Sequence, residues 1–271
     1  MNNSMVRHNN RSYNQLRNVK ISYNVFGYAP GSVLLELGST KVLCSVTMSP
    51  GVPSFLKGTK TGWLTAEYAM LPNSGHTRSM RESSQAKRND RAIEISRLIG
   101  RSLRAVVDLA AIGERTIFVD CDVLQADGST RTASITGAYL ALKMAIRYWL
   151  QNGELLRDIL TDAVAAISVG ITKNQPLLDL DYAEDSCIDA DYNFILTQSG
   201  SIIEIQGAAE KGTISWDQFE QLKNLAMHGN TILFDCIDQS FKKQYSQEKK
   251  ESPKQTDGPI FSLKNRLTNV A

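Results

Sequence analysis

Three groups of residues in this chain are of types and spacings that do chemistry. Between Arg78 and Arg104 stand eight basic residues, Arg78, Arg81, Lys87, Arg88, Arg91, Arg97, Arg101 and Arg104, opposed only by Glu82, Asp90 and Glu94. The planar guanidinium matches phosphate with two parallel donors, so an arginine-rich loop can grip a nucleic-acid backbone. For Arg97, Arg101 and Arg104 a solvated helix face, or pairing with acids at a subunit interface, accounts for the charge better than a phosphate role does. The second group is Asp179, Asp181, Glu184, Asp185, Asp189 and Asp191, six acids in thirteen residues with no base among them. Carboxylates this dense repel unless water or a cation neutralises them, and oxygen-only ligands favour Mg²⁺ or Mn²⁺ over zinc. The third is the turn Asp127-Gly128-Ser129-Thr130-Arg131, which opens into a helix at about Thr132. A glycine turn followed by helix N-terminal N–H groups, two hydroxyls and a guanidinium makes a compact phosphate site. It is neither a Walker A loop nor a dinucleotide fingerprint. Phosphate site, carboxylate–metal site and arginine loop together point to phosphoryl transfer on a nucleic acid.

The elements that must position these groups follow from periodicity. Residues 31–46 read as two strands around a turn at Gly38-Ser39, and Ile117, Val119, Cys121 and Val123 alternate with polar neighbours as a further strand. Ile95, Leu98, Ile99, Leu103, Val106 and Val107 form the apolar stripe of a helix over 91–109, and a longer helix runs to about Trp149. Strands at 164–172 and 176–182, a hairpin over Gln198-Ser199-Gly200 and a helix from Trp216 to about His228, with a helical continuation over 231–245, complete an α+β pattern. Residues 1–18, polar and carrying Arg7, Arg11 and Arg17, read as a surface arm. The charged stretch beyond Ser246 reads as a disordered tail.

The whole chain has 271 residues and a net charge of +2, and its hydrophobic fraction of 42% excludes wholesale disorder. Nothing approaches the ~18 apolar residues of a membrane span, and the first ten residues lack the apolar core of a secretory signal. Four widely separated cysteines fit reduced thiols in a cytoplasmic protein rather than a disulfide framework or zinc ribbon. Near-neutral charge by itself argues against a nucleic-acid partner. Its placement argues the other way, with the basic surplus in one segment and the acidic surplus in another.

On these residues the chain resembles the ribonuclease PH family, phosphate-dependent 3′-to-5′ exoribonucleases that trim tRNA precursors. The match runs from about Arg7 to about His228 and is densest in GWLTAEYAMLP (62–72), EISRLIGR (94–101), DCDVLQADGSTRTASITG (120–137) and DLDYAED (179–185). The resemblance implies an α+β fold of two βαβ-type lobes with mixed sheets covered by helices. It implies a single catalytic domain over 1–240, in pseudo-repeated halves of about 1–153 and 154–240, followed by a polar tail over 241–271. It also implies inorganic phosphate held by Arg91, Gly128, Ser129, Thr130 and Arg131, and a Mg²⁺ or Mn²⁺ ion held by the catalytic pair Asp185 and Asp191. Arg78 and Arg81 would guide the RNA 3′ end, and the active form would be a hexamer, a trimer of dimers, in the cytoplasm and not at a membrane.

Four positions depart from the family pattern. Asn73 stands for an arginine after the Met-Leu-Pro run, Ser129 for the second glycine of the phosphate turn and Asp90 for the glycine before the phosphate arginine. Asn9-Asn10 precedes Arg11 where relatives carry Asp-Gly. None removes a proposed catalytic group, though Asp90 and Ser129 bear on phosphate affinity. The alternative is a catalytically inactive ring subunit or RNA-binding scaffold; such subunits typically lack the aspartate pair or the phosphate arginine, which this chain keeps. A hydrolytic metal-dependent nuclease would share the acids but has no use for the anion site at Ser129–Arg131.

Overall fold

The computed structural model of the chain describes residues 7, 10–81 and 89–251. Two sheets flank one buried helix. The first has five strands in the order β1-β2-β3-β5-β4: β1 (Val19–Tyr23), β2 (Gly31–Leu37), β3 (Thr40–Pro50), β4 (Trp63–Met70) and β5 (Arg115–Gln125). Its pairs are antiparallel except β4–β5, which run parallel around α1 (Asp90–Arg104). The second sheet has the order β7-β6-β8-β9: β6 (Val164–Thr172), β7 (Gln175–Leu178), β8 (Ala190–Thr197) and β9 (Ile202–Ala209). The α+β class stands, but only the first sheet is mixed, for the second is antiparallel throughout.

Between the sheets lies α2 (Thr130–Gln151), packed on β2, β3 and β6. Residues on every side of it are buried, as a helix covered on both faces requires. Helix α1 shows the opposite pattern. Ile95, Leu98, Ile99 and Leu103 are buried on one face, and Asn89 caps the start by accepting from the Arg91 amide at 2.9 Å. It ends at Arg104, short of the expected Leu109, and Val106 and Val107 reach the core from the irregular segment that follows. Burial there preserved the apolar stripe without helical backbone.

The last helix joins the two helical segments expected of the sequence. α4 runs unbroken from Trp216 to Glu251, six residues beyond Tyr245. Leu233, Phe234 and Ile237 are buried in the main core, and Lys143 and Arg147 of α2 lie 4.4 Å from the ring centres of Phe241 and Tyr245. Apolar and cation–π contacts thus carry the helix into the stretch assigned to the tail. Residues 252–271 lie outside the described residues. Cys44 and Cys121 are buried, whereas Cys187 is exposed.

Candidate active site

The turn that joins β5 to α2 is the first wall of the site. Gly128 has a φ of +73°, and a Cβ there would lie 2.6 Å from the Leu180 carbonyl oxygen, so the position needs glycine twice over. Ser129 follows in the left-handed region with a φ of +56°. Its hydroxyl does not obstruct the turn. It donates to the Leu180 oxygen at 2.8 Å and lies 2.7 Å from the Ser168 hydroxyl, which in turn accepts from the Leu180 amide at 3.1 Å. The residue that replaces a family glycine therefore ties the turn to the second sheet. Thr130 is 3.0 Å from the buried Tyr68 hydroxyl, whose own ionisation burial pushes upward. The Arg131 guanidinium donates to Gln206 Oε1 at 2.7 Å and to Glu94 Oε1 at 3.1 Å.

The second wall is the acidic segment, and here the six carboxylates divide. The expected surface arm is not one: Arg7, Arg11 and Arg17 are all buried, and three of the six acids receive them. Arg7 grips Glu184 with two bonds of 2.7 and 2.6 Å, and Arg11 adds a third at 2.9 Å. Arg17 grips Asp179, while Asp181 lies 3.4 Å from Arg11 and caps the short helix α3 (Tyr182–Asp185), accepting from the Glu184 amide at 3.0 Å. Burial leaves these carboxylates nowhere to go but an arginine, which is why a polar N-terminus folds inward. Asp189 accepts from the Lys173 amide at 2.7 Å.

Asp185 and Asp191 remain, at the end of α3 and the start of β8. Partial desolvation raises the Asp185 carboxyl above its ordinary range against the pull of Arg91 and Arg131. Asp191 is raised by desolvation too, and further by the charges of Asp185 and Glu210. Two carboxylates that share a site and repel each other favour a cation between them. Among the described residues no group of three His, Cys, Asp or Glu forms a metal site. Mg²⁺ needs only one or two protein carboxylates, the rest of its shell being water and phosphate oxygens, so this donor pair fits it.

One cavity of about 900 Å³ brings the predicted residues together. Arg91, Gly128, Ser129, Thr130 and Arg131 line it, as do Asp185 and Asp191. Asp90 does not, although its neighbours Asn89 and Arg91 do, so the acid departure does not face the phosphate turn's cavity. Arg78 and Arg81 line a separate shallow depression with Leu71, Pro72 and Asn73. Lys87 and Arg88 fall outside the described residues. Arg101 pairs with Glu204 at 2.8 Å, and Arg104 donates to the Leu64 oxygen at 2.9 Å while lying 4.5 Å from the Trp63 ring centre. Those two have partners within the fold rather than a place in the cavity. The cavity also contains Tyr68, His76, Ser168 and Tyr182; Tyr68 and Tyr182 stand in the GWLTAEYAMLP and DLDYAED segments without an expected role, and His76 and Ser168 lie outside the quoted segments. The signal for Tyr182 was its place one helical turn before Asp185 within the acidic run.

Comparison with known proteins follows this geometry. Residues 15–147 match the model of the 3′ exoribonuclease family, domain 1, and residues 162–229 match domain 2. Ribonuclease PH from Tropheryma whipplei, strains Twist and TW08/27, is 53% identical over 227 residues, covering 83% of this chain and 92% of the relative. Rice (Oryza sativa) Rrp46 superposes with a TM-score of 0.70 at 18% identity, covering 86% of this chain and 99% of that one. A chain of an archaeal exosome core superposes at 0.68 with 23% identity, covering 85% and 90%. At such identities the solved structures speak for the fold alone. The family models and the curated relatives go further: the chain belongs to the 3′ exoribonuclease family and is a phosphate-dependent 3′-to-5′ exoribonuclease of the ribonuclease PH type.

Proposed function

We propose that the chain trims the 3′ ends of tRNA precursors by phosphorolysis in this cavity. The observation that carries the reading is the convergence of Arg91 and the Ser129–Arg131 turn with the Asp185–Asp191 pair on a single cavity. Arg91, Arg131, the backbone of the Gly128-Ser129 turn, the Thr130 hydroxyl and the first N–H groups of α2 bind inorganic phosphate and hold its charge. One phosphate oxygen attacks the phosphorus of the 3′-terminal phosphodiester. The bond from that phosphorus to the 3′ oxygen of the penultimate nucleotide breaks, and this oxygen takes up a proton. The products are a nucleoside diphosphate and an RNA one residue shorter; the reverse reaction adds a nucleotide. Asp185 and Asp191 would hold Mg²⁺, or Mn²⁺, which when bound neutralises charge developing on the scissile phosphate. Arg78 and Arg81, just outside the cavity, guide the incoming strand.

The working form in this reading is a homohexamer built as a trimer of dimers. One of the solved structures with this fold is titled an archaeal exosome core, and native mass in solution is the test. The chain acts in the cytoplasm, consistent with free cysteines; among the described residues no helix is long and apolar enough to cross a membrane. The domain reading is one catalytic unit over about 1–240. The deciding assay incubates a tRNA precursor and Mg²⁺ with and without phosphate. Phosphate-dependent shortening with release of nucleoside diphosphates supports the proposal. Equal shortening without phosphate, yielding monophosphates, overturns it, and no shortening at all favours a scaffold.

A further inference from the structure

Three residues at one edge of the cavity have no part in the phosphate or metal chemistry. Tyr182 is 48% exposed at the cavity, and its ring centroid lies 4.5 Å from that of His76, the planes tilted by 36°. Ser74 is only 4% exposed, and its hydroxyl has no hydrogen-bond partner among the described residues. Its backbone is fixed: the Ser74 amide donates to the Leu71 oxygen at 2.9 Å, and its carbonyl accepts from the Ala126 amide, beside the phosphate turn, at 2.7 Å. A buried hydroxyl with no partner at a cavity wall is a donor and acceptor left for a ligand. Tyr182 and Asp185 sit three residues apart on α3, hence on neighbouring positions of one face. That spacing sets an aromatic surface one helical turn from the proposed catalytic carboxylate.

We propose that this edge is a nucleoside subsite: the 3′-terminal base of the RNA stacks on the Tyr182–His76 ring pair, and the Ser74 hydroxyl pairs with a sugar hydroxyl. The inference rests on the phosphorolytic reading of the same cavity and extends it to the group next to the scissile phosphate. Stacking on an aromatic ring tolerates any base, because every base has a π-face, so the subsite holds the last nucleotide whatever its identity. A hydroxyl partner for the sugar is the kind of contact by which a protein separates RNA from DNA.

The test uses the full chain and an RNA ending in a 2-aminopurine ribonucleotide, carrying a second dye at its 5′ end, in phosphate-free buffer. Binding, read by the anisotropy of the 5′ dye, quenches the 2-aminopurine fluorescence through stacking. Tyr182→Ala abolishes the quenching and raises the KM for RNA about tenfold or more, with the phosphate KM moved far less. Tyr182→Phe retains the quenching, and a thermal melt of each variant reports that it is folded. With a chelator present to stop the reverse reaction, ADP in excess restores the fluorescence by competing for the subsite. Ser74→Ala reduces the preference for a ribose over a 2′-deoxyribose end. Unquenched 2-aminopurine in the bound wild-type complex, or an unchanged RNA KM in Tyr182→Ala, overturns the base platform. Unchanged sugar preference in Ser74→Ala removes that residue from it. Phosphate-independent shortening with the quenching intact overturns phosphorolysis and leaves the subsite standing.

Discussion

Arg17 and Asp179 form a bidentate ion pair inside the protein, Nη2 to Oδ1 at 2.7 Å and Nε to Oδ2 at 3.0 Å. The same guanidinium donates to the Asp127 carbonyl at the phosphate turn and to the Leu180 carbonyl at 3.2 Å. A single side chain from the N-terminal segment therefore joins both walls of the site. Burial alone would weaken its charge, but Asp179 outweighs that and holds the guanidinium above its ordinary range.

Breaking this pair should be costly. Arg17→Ala leaves Asp179 buried beside fewer donors, and losses of about 3–5 kcal/mol are typical of a buried pair deprived of one member. Urea denaturation would show the midpoint falling in Arg17→Ala and in Asp179→Ala. The double variant should lose less than the sum of the two. Additive losses would mean that the pair does not act as a unit.

Ser129 invites a comparison of two substitutions. Ser129→Ala loses the bonds to Leu180 and Ser168 and keeps the left-handed backbone, so it should destabilise by about 1–2 kcal/mol. Ser129→Gly loses the same bonds but relieves a conformation that costs a non-glycine residue roughly 1 kcal/mol. Chemical denaturation should rank glycine above alanine; the reverse order would show that the backbone there is not strained.

The aspartate pair should trade stability for function. Desolvation raises both carboxyls, so across the window from the ordinary carboxylate range up to the raised values the folded state binds more protons than the unfolded one. Stability from these groups therefore falls as pH rises through that window. In chelator-containing buffer at pH 7, Asp191→Asn should melt at a higher temperature than the wild type while losing phosphorolysis. The advantage should vanish at about pH 3, where the carboxyls are protonated in both states. Equal melting temperatures at pH 7 would contradict the raised carboxyls.

Arg131→Ala should raise the KM for phosphate between about tenfold and a hundredfold, since hydrogen bonds to a charged partner contribute roughly 1.5–3 kcal/mol. Steady-state assays at varied phosphate measure this directly. An unchanged phosphate KM would place the anion elsewhere.

The C-terminal half of α4 should behave as core. Phe234→Ala, 7% exposed in the wild type, should cost about 3 kcal/mol by the usual penalty for emptying a buried aromatic site. A surface-like effect below about 0.5 kcal/mol would mean that the helix beyond His228 only rests on the fold.

Much of this protein was legible in the chain itself. Local periodicity fixed the strands around Gly38-Ser39, the alternating strand with Cys121 and the helix that follows the phosphate turn, because each is set by neighbours in sequence. The Asp127–Arg131 turn could be read as a candidate anion site for the same reason, its parts being consecutive. What remained hidden was pairing over distance. By residue type the six acids are equivalent, and only the family resemblance singled out Asp185 and Asp191; the fold adds that Arg7, Arg11 and Arg17, over 160 residues away in sequence, are paired with three of the other four. Only burial decides which charges must be neutralised by the protein and which stay open to a metal and a substrate. Tertiary structure likewise carried α4 into the polar stretch after Ser246 and stood Tyr182 and His76 side by side. Composition could name the charged residues; desolvation, which depends on the whole fold, sorted them into scaffold and site.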